Sequence, residues 1–394
     1  MPRKILHLDL DAFFCSVEEQ FNPSLLGKAF AVGGRPEERG VVASCSYAAR
    51  RFGVRSAMPM SRALRLCPEL IIISSRHGVY SQFSRQVMRH LEDLTPHVEQ
   101  VSIDEAFLDV TDVDKDPFEI ALQLQTAIHK RPGLPCSIGA ATNKLLAKIA
   151  NDVGKASRSR AAAQPEPPRA ITVVPPGQEG SFLAPLPVEA LSGIGPKTAE
   201  RLLQMHLRTI GDLATFPPAE LERLFGKAGM EISERARGID DRPVVSSREV
   251  KSISQETTFA KDISEQSDLR LTLRELSEGV GKRLRHADMA GTTVRIKIRW
   301  PDFTTLTRQI TLEQPVDLDN DIYAVAYDLF QNTWKPGQPV RLLGVGVSGL
   351  TSPVRQLNLW EQTGDKDRRL QVAIDDLRKR FGEEAIHRGR QKGD

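Results

Sequence analysis

Between Glu99 and Thr111 apolar residues occupy both strand parities, and the pattern changes phase at Asp104-Glu105. Strand side chains alternate between faces, so a segment that is apolar on both is buried on both. The segment therefore reads as two buried strands flanking a turn, and a chain that hides such a pair must cover its sheet with other layers. The rest of the first half supplies them. Lys4 to Leu10 reads as a strand, and Ala12 to Gln20 as a helix carrying Phe13, Phe14 and Val17 at helical spacing. A Gly-rich stretch, Val32-Gly33-Gly34-Arg35-Pro36, and a short strand at Val41 to Cys45 lead into a region dense in arginine: Arg50, Arg51, Arg55, Arg62 and Arg65. Leu122 to Ile128 and Leu145 to Ile149 read as helices. Strands alternating with helices imply an α/β or α+β layer to about residue 175.

The pattern then changes. Ser157 to Pro168 is rich in Arg, Ala and Pro without periodicity and reads as an exposed loop. Pro187 to Gly238 is helical with short loops, and Asp240 to Ser252 is polar and reads as a tether. Leu269 to Ala287 is a long helix, with strands at Thr292 to Trp300 and Thr304 to Leu312, a helix at Ile322 to Trp334 and a strand at Val340 to Leu350. In the tail, Leu370, Ile374, Leu377 and Phe381 share one helical face. At 394 residues the chain has room for two to four domains of about 150 residues. Its net charge of +3 excludes a global polycation, so a nucleic-acid partner would have to meet local patches. No apolar run approaches the ~18 residues of a membrane span. Asp9 and Asp11 interrupt what begins like a signal peptide. Cys15, Cys45, Cys67 and Cys136 are scattered, without metal or disulfide spacing, which suits a reducing cytoplasm.

Four groups of residues could carry chemistry. Asp9, Asp104 and Glu105 lie at strand ends, where three carboxylates can hold two divalent ions ~3.5–4 Å apart for phosphoryl transfer. Solvated strand-end acids fit those positions equally well. Asp11 directly precedes a helix and reads as its N-cap. The arginines after Tyr47 could bind a triphosphate, since a guanidinium grips phosphate in a bidentate manner, although any single one also fits a solvated helix face. Leu191-Ser-Gly193-Ile-Gly195-Pro196-Lys197 reads as a tight hairpin between helices, with Pro196 at the first helical position and free amides turned toward a phosphate. Finally, strand alternation puts Arg295, Lys297 and Arg299 on one face and Val294, Ile296, Ile298 and Trp300 on the other. The result is a basic stripe over an apolar floor, which suits a phosphate backbone or ordinary edge protection.

Together these motifs resemble the Y-family translesion DNA polymerases of the DinB type, from about Ile5 to Trp360. His7-Leu-Asp9-Leu10-Asp-Ala-Phe13-Phe14 resembles the first metal motif of that family, and Ser102-Ile-Asp104-Glu105-Ala the second. Tyr47-Ala-Ala-Arg50-Arg-Phe-Gly-Val-Arg-Ser-Ala-Met-Pro59 resembles the fingers motif. The resemblance implies a multidomain α+β fold: a palm with a mixed sheet and helices, small fingers, an all-α helix-hairpin-helix thumb and an α+β little finger. On this chain the palm would be residues 1–18 and 78–170, the fingers 19–77, the thumb 171–239, a linker 240–252, the little finger 253–352 and a tail 353–394. The resemblance also implies two magnesium ions, with manganese able to substitute. Asp9, Asp104 and Glu105 would hold them, with the Leu10 carbonyl on the nucleotide-side ion. Phe13, Phe14, Tyr47, Arg50 and Lys155 would meet the incoming dNTP, with Phe14 as the steric gate against a 2′-hydroxyl. Gly193, Gly195, Lys197, Arg295, Lys297 and Arg299 would meet primer-template DNA. Gln356, Leu357, Leu359 and Trp360 resemble a sliding-clamp peptide, with Trp where Phe is usual. A cytoplasmic monomer with no membrane association is expected. Where such polymerases run through a short Lys-Pro-Asn-Gly turn, this chain has Gly154-Lys155-Ala-Ser and then its Ala/Pro-rich insertion.

The resemblance implies low-fidelity, template-directed nucleotidyl transfer to a primer 3′-hydroxyl, with no segment left for a proofreading nuclease. Two other readings compete. A DNA-bound adaptor without catalysis would have lost carboxylates, and all three are present. A phosphohydrolase of the haloacid-dehalogenase type could use Asp9-Leu-Asp11, but it lacks the Gly-Thr that follows and leaves Gly193-Ile-Gly195 unexplained.

Overall fold

β1 (Ile5–Leu10), with Ile5, Leu6, Leu8 and Leu10, is buried at nearly every position and on both faces, so it takes the middle of a sheet. In the computed structural model, residues 2–161, 163–247, 249–353 and, in the tail, 370–371, 373–377 and 380–382 are described. α1 (Phe13–Phe21) follows through Ala12, which adopts a left-handed conformation with φ 46° and offers no side-chain cap. The expected Asp11 cap is therefore absent. Asp11 turns inward, accepting the Ser137 hydroxyl at 2.9 Å and the Arg169 amide at 3.0 Å. A fully buried carboxylate must be satisfied by interior donors, which outweighs capping one helix end.

β2 (Phe30–Gly33), β3 (Val42–Cys45), α2 (Tyr47–Arg51), α3 (Met60–Leu66) and β4 (Ile71–Ile73) form a small layer with its own core of Ala31, Val42, Cys45, Ala49 and Met60. Its sheet runs β3-β2-β4, with β2 antiparallel to β3 and parallel to β4. Ser46 caps α2, its hydroxyl accepting the Ala49 amide at 3.2 Å. Then come α4 (His77–Glu92), β5 (Val98–Gln100), β6 (Glu105–Asp109), α5 (Pro117–Lys130), β7 (Cys136–Ala141), α6 (Lys144–Ala161) and β8 (Ile171–Val173). The larger sheet has the order β5-β6-β1-β7-β8, with β1 antiparallel to both neighbours. Leu6, Leu8 and Leu10 pack with Phe13, Tyr80 and Ile120, while Ile5 and Phe107 pack with Leu146 and Ile149 of α6. Gly139 lets α6 lie this close: a Cβ there would stand 2.0 Å from the Ala147 carbonyl oxygen.

The expected loop at Ser157 to Pro168 begins later than the sequence suggested, because α6 runs on to Ala161. Alanine and arginine favour helix, and no proline intervenes before Pro165.

α7 (Glu179–Leu183), α8 (Pro196–Gln204), α9 (Ile210–Thr215), α10 (Pro218–Phe225) and α11 (Lys227–Ala236) are short and share a core with α6. The expected tether at Asp240 to Ser252 is, over its first residues, anchored. Asp240 accepts the Leu145 amide at 3.0 Å, and the Val245 amide donates to Glu99 at 3.0 Å. These polar residues find partners on the folded layer, which composition alone does not reveal.

The chain divides into two units, Met1–Arg248 and Glu249–Asp394. The second holds β9 (Ser252–Ile263), α12 (Gln266–His286), β10 (Ala290–Arg299), β11 (Thr305–Val316), α13 (Asp319–Gln331) and β12 (Val340–Thr351), with antiparallel sheet order β11-β10-β12-β9. Both helices pack on one face of it, over Val294, Ile296 and Ile298. The described tail residues include helical positions at 370–371, 373–377 and 380–381. There Leu370, Leu377 and Phe381 of the expected apolar face are exposed and Ile374 is partly buried, while Gln371 is buried and Asp375 meets Arg285 at 2.8 Å. The clamp-like residues Gln356, Leu357, Leu359 and Trp360 lie outside the described residues.

Candidate active site

Sheet register brings the acids together. Asp9 pairs with Glu105 on β6 and with Ser137 on β7, and the Leu10 amide donates to the Asp104 carbonyl at 2.9 Å. Asp9, Leu10 and Asp104 line a cleft of about 300 Å³ together with Phe13, Phe14, Tyr47, Arg50 and Lys155. Residues separated by as much as 146 positions thus share one cleft wall.

Each acid already has a donor. Ser102 Oγ donates to Asp104 Oδ1 at 2.5 Å. Lys155 Nζ pairs with Asp9 Oδ1 and lies 3.3 Å from Asp11 Oδ1. Glu105 Oε1 is 2.5 Å from both Lys148 Nζ and His7 Nε2. The Asn151 amide nitrogen faces His7 Nδ1 at 3.0 Å and also the carbonyl oxygens of His7 and Ser137, so it is the donor. Nδ1 therefore accepts, and Nε2 carries the proton that it gives to Glu105.

The electrostatics divide the acids into two kinds. Burial pushes the Asp104 carboxyl above the usual range, and the charges of Asp9 and Glu105 add to it against the Ser102 hydrogen bond. Burial would raise Glu105 as well, but the His7 and Lys148 hydrogen bonds prevail and bring it down to about 2. Lys155 is held above its ordinary range, because the charges of Asp9 and Asp11 outweigh its desolvation.

Among the described residues, no three His, Cys, Asp or Glu side chains already stand as a metal cage. The donor set nevertheless fits a hard divalent cation. It consists of mutually repelling carboxylate oxygens at adjacent strand ends, of which Asp9 is paired with the Lys155 ammonium.

The opposite wall is aromatic and cationic. The Arg50 guanidinium lies 4.8 Å over the Tyr47 ring, and burial followed by the Asp11 charge keeps the Tyr47 hydroxyl protonated. Phe13 is 2% exposed and belongs to the core, whereas Phe14 is only partly buried. The Phe14 ring stacks on Tyr80 at 4.2 Å, and the Tyr80 hydroxyl donates to Glu18 at 2.6 Å. Phe14 thus projects into the cleft from a ring that is itself anchored.

The sequence motifs include His7, Lys148, Asn151 and Asp152 without giving them a role, and nothing in the sequence marks Tyr80. One signal was available for the three on α6. Lys148, Asn151, Asp152 and Lys155 recur at i, i+3, i+4 and i+7, a polar stripe beside the apolar Leu145, Leu146, Ile149 and Val153 of α6.

The candidate DNA contacts lie elsewhere. Gly195 is the N-cap of α8 and Pro196 its first residue, as expected. Gly193 has φ 99°, a conformation that favours glycine, and a Cβ there would only have to displace the end of the Arg235 side chain. In the second unit Arg295, Lys297 and Arg299 are partly exposed on the face opposite the buried Val294, Ile296 and Ile298. Arg295 and Lys297 stand beside Gly346 and Gly344 of β12, which leaves a groove of about 260 Å³. Lys297 reaches Glu256 at 2.8 Å, and Arg299 Nε donates to Thr305 at 2.8 Å, so these two stripe residues also have partners within the chain.

Comparison with known proteins agrees with this architecture. The model of the impB/mucB/samB family matches residues 8–152, that of its C-terminal domain residues 250–359, and that of the DNA polymerase-iota thumb domain residues 189–240. Among solved structures, a Y-family DNA polymerase chimera, Dbh-Dpo4-Dbh, is similar with a TM-score of 0.77 at 26% identity, covering 88% of this chain and 98% of that one. The insertion ternary complex of Dbh DNA polymerase is similar with a TM-score of 0.62 at 26% identity, covering 88% of this chain and 98% of that one. Palm, helix-hairpin-helix thumb and little finger therefore make up a Y-family polymerase fold. The DNA polymerase IV of Dehalococcoides mccartyi strain CBDB1 is 39% identical over 392 residues, covering 98% of this chain and 97% of that protein. The one from Alkalilimnicola ehrlichii is 40% identical over 365 residues, covering 91% of this chain and 99% of that protein. The chain belongs to the DNA polymerase IV (DinB) family, whose members are DNA-directed DNA polymerases of the translesion type.

Proposed function

We propose that the protein extends a primer on a DNA template by two-metal transfer of a nucleotidyl group from dNTP to the primer 3′-hydroxyl, with low fidelity and no proofreading. Asp9, Asp104 and Glu105, with the Leu10 carbonyl, hold divalent cations, magnesium or manganese in its place. Bound there, such ions polarise the phosphate and lower the pKa of the attacking hydroxyl. His7 and Lys148 keep Glu105 ionised and oriented across the working pH range. Arg50 and the protonated Tyr47 hydroxyl hold the triphosphate by donated hydrogen bonds, and Lys155 gives up Asp9 to join them. Phe14 closes the sugar side, leaving a 2′-hydroxyl neither room nor a partner, while Phe13 supports it from the core.

In this reading residues 1–18 and 78–170 are the palm, 19–77 the fingers, 171–239 the thumb, 240–252 the linker and 253–352 the little finger. Amides at Gly193 and Gly195, with Lys197, take one phosphate, and Arg295, Lys297 and Arg299 track the DNA backbone. Gln356, Leu357, Leu359 and Trp360 of the tail 353–394 engage a sliding clamp, and the enzyme works as a cytoplasmic monomer.

The observation that carries the proposal is the convergence of Asp9 and Asp104, by strand register, on the cleft that Phe14, Tyr47 and Arg50 line, with Glu105 as the strand partner of Asp9. Primer extension with magnesium and dNTPs tests it, comparing wild type with Asp104→Ala. Extension by wild type and a loss of about 10³-fold or more in the variant, some 4 kcal/mol of transition-state stabilisation, is expected. Equal extension by both, or by neither, refutes it.

A further inference from the structure

The segment between α6 and β8 does not hang free. Arg51 of α2 donates through Nη2 to the Ala163 carbonyl at 2.8 Å. Pro165 and Pro167 line a small cavity with Ala12 and Ser16 on the α1 side and with Tyr47 and Ala48 of α2. The Arg169 amide then donates to Asp11 Oδ2 and the Ala170 amide to Ser137 Oγ, each at 3.0 Å. Ser137 in turn donates to Asp11, at 2.9 Å from Oδ1. Arg169 has φ 43°, a conformation that a side-chain-bearing residue avoids unless its bonds hold it. Pro165, Pro167 and Pro168 fix φ at three of four positions, so the segment is stiff. One end continues α6, which carries Lys155, and the other is fastened to the buried Asp11, two residues from Asp9. Between them the segment touches the helix that bears Tyr47 and Arg50, and Tyr47 borders both this cavity and the catalytic cleft.

We propose that residues 163–169 form a strap that fixes α2 against the palm and so sets the position of Tyr47 and Arg50 before a nucleotide arrives, with Arg51 as its positioning residue. The proposal rests on the reading, given above, that Tyr47 and Arg50 bind the triphosphate. Removing the strap's hold leaves the acids untouched but frees α2 to sample positions that bind nucleotide less well.

The test uses the full chain. One hydrogen bond lost at an exposed site corresponds to about a two- to tenfold effect. Arg51→Ala is therefore expected to raise the dNTP KM by that factor, to leave kcat and the DNA Kd within about twofold, and to speed amide hydrogen exchange across residues 48–54. Arg51→Lys, which keeps a donor, should recover part of the loss. A Pro165→Gly/Pro167→Gly variant, which retains Arg51 but softens the segment, should reproduce the Arg51→Ala effect. Arg50→Ala, measured alongside, isolates the underlying reading, because it must raise the dNTP KM if that residue binds triphosphate. A raised KM in Arg50→Ala with unchanged KM and exchange in Arg51→Ala overturns the strap. So does a fall in kcat together with DNA affinity, which marks general damage. If Arg50→Ala leaves KM unchanged, the triphosphate reading fails, and the strap's hold on α2 is decided by the exchange alone.

Discussion

Lys155 is the counter-ion of two carboxylates at once, pairing with Asp9 and lying 3.3 Å from Asp11. Replacing it by methionine keeps the apolar stem and removes the charge. Breaking a fully buried pair costs about 3–5 kcal/mol, while an exposed pair is worth about 1 kcal/mol or less. Here the side chains of Lys155, Asp9 and Asp11 are 19%, 25% and 0% exposed. An intermediate loss of about 2 kcal/mol is therefore expected for Lys155→Met in metal-free buffer. A divalent cation competes with the ammonium for Asp9 in the wild type but not in the variant, so magnesium should stabilise the variant more. Binding at a hundred times Kd is worth about 2.7 kcal/mol, enough to recover the deficit. The pH dependence has a defined sign. Lys155's raised pKa means its contribution is fully present below the ordinary lysine value and is lost only as pH rises through the folded value, so wild type keeps it near neutrality. Asp11, raised by burial, is pulled down chiefly by Lys155. Without Lys155 its pKa rises further, and the variant's deficit should shrink as pH falls toward that value. Urea unfolding should be followed by circular dichroism, because Trp300 and Trp334 lie in the core of the second unit and the first unit has no tryptophan. A variant as stable as wild type in EDTA, or one that gains no more from magnesium, would refute the reasoning.

Phe14→Ala opens the sugar side of the cleft, and the selectivity for dNTP over rNTP should fall by about 10- to 200-fold, the equivalent of about 1–3 kcal/mol, measured as the ratio of kcat/KM. Tyr80→Leu, which removes the ring under Phe14, should give a smaller loss of the same kind. Arg295→Ala should lower the slope of log K against log salt for primer-template binding by about 1, with no dependence on sequence; an unchanged slope removes that residue from the backbone contacts. Lys144→Met strips the ammonium from Glu99, a pair at 2.6 Å with side chains 7% and 2% exposed, and should destabilise the first unit by about 3–5 kcal/mol in urea. It should also release the segment at Pro243 to Val245, seen as faster amide exchange there, because both groups hold that segment.

What the sequence disclosed and what it withheld follow one physical division. Where an element's pattern is set by burial, it was legible: β1, β6 directly after Asp104, and β10 with alternate Val294, Ile296 and Ile298 under its basic stripe. The strand expected before Asp104, by contrast, is only the short β5, and Val101 is exposed. β9 carries no such pattern. Ser252–Ile263 is largely exposed and polar, and it becomes a strand because β12 supplies its hydrogen bonds. β4 is a run of only three isoleucines, recruited by parallel pairing with β2.

The site divides the same way. Asp9, Asp104 and Glu105 were legible as strand-end acids, and the structure brings them to one end of adjacent strands. Their partners were not, since His7 reaches Glu105 across the β1–β6 pairing, while Lys148 reaches Glu105 and Lys155 reaches Asp9 through the packing of α6 on β1. That packing depends on Gly139 and on the apolar side of α6, so the residues that shape the core also set the charge state of the acids. Asp11 shows the consequence. Local rules made it a helix cap, but zero exposure made the surface helix end the poorer use of its charge. It became instead the point where Lys155, Ser137 and the Arg169 amide meet. A substitution at Asp11 should therefore act on Lys155, and through it on Asp9, before it acts on α1.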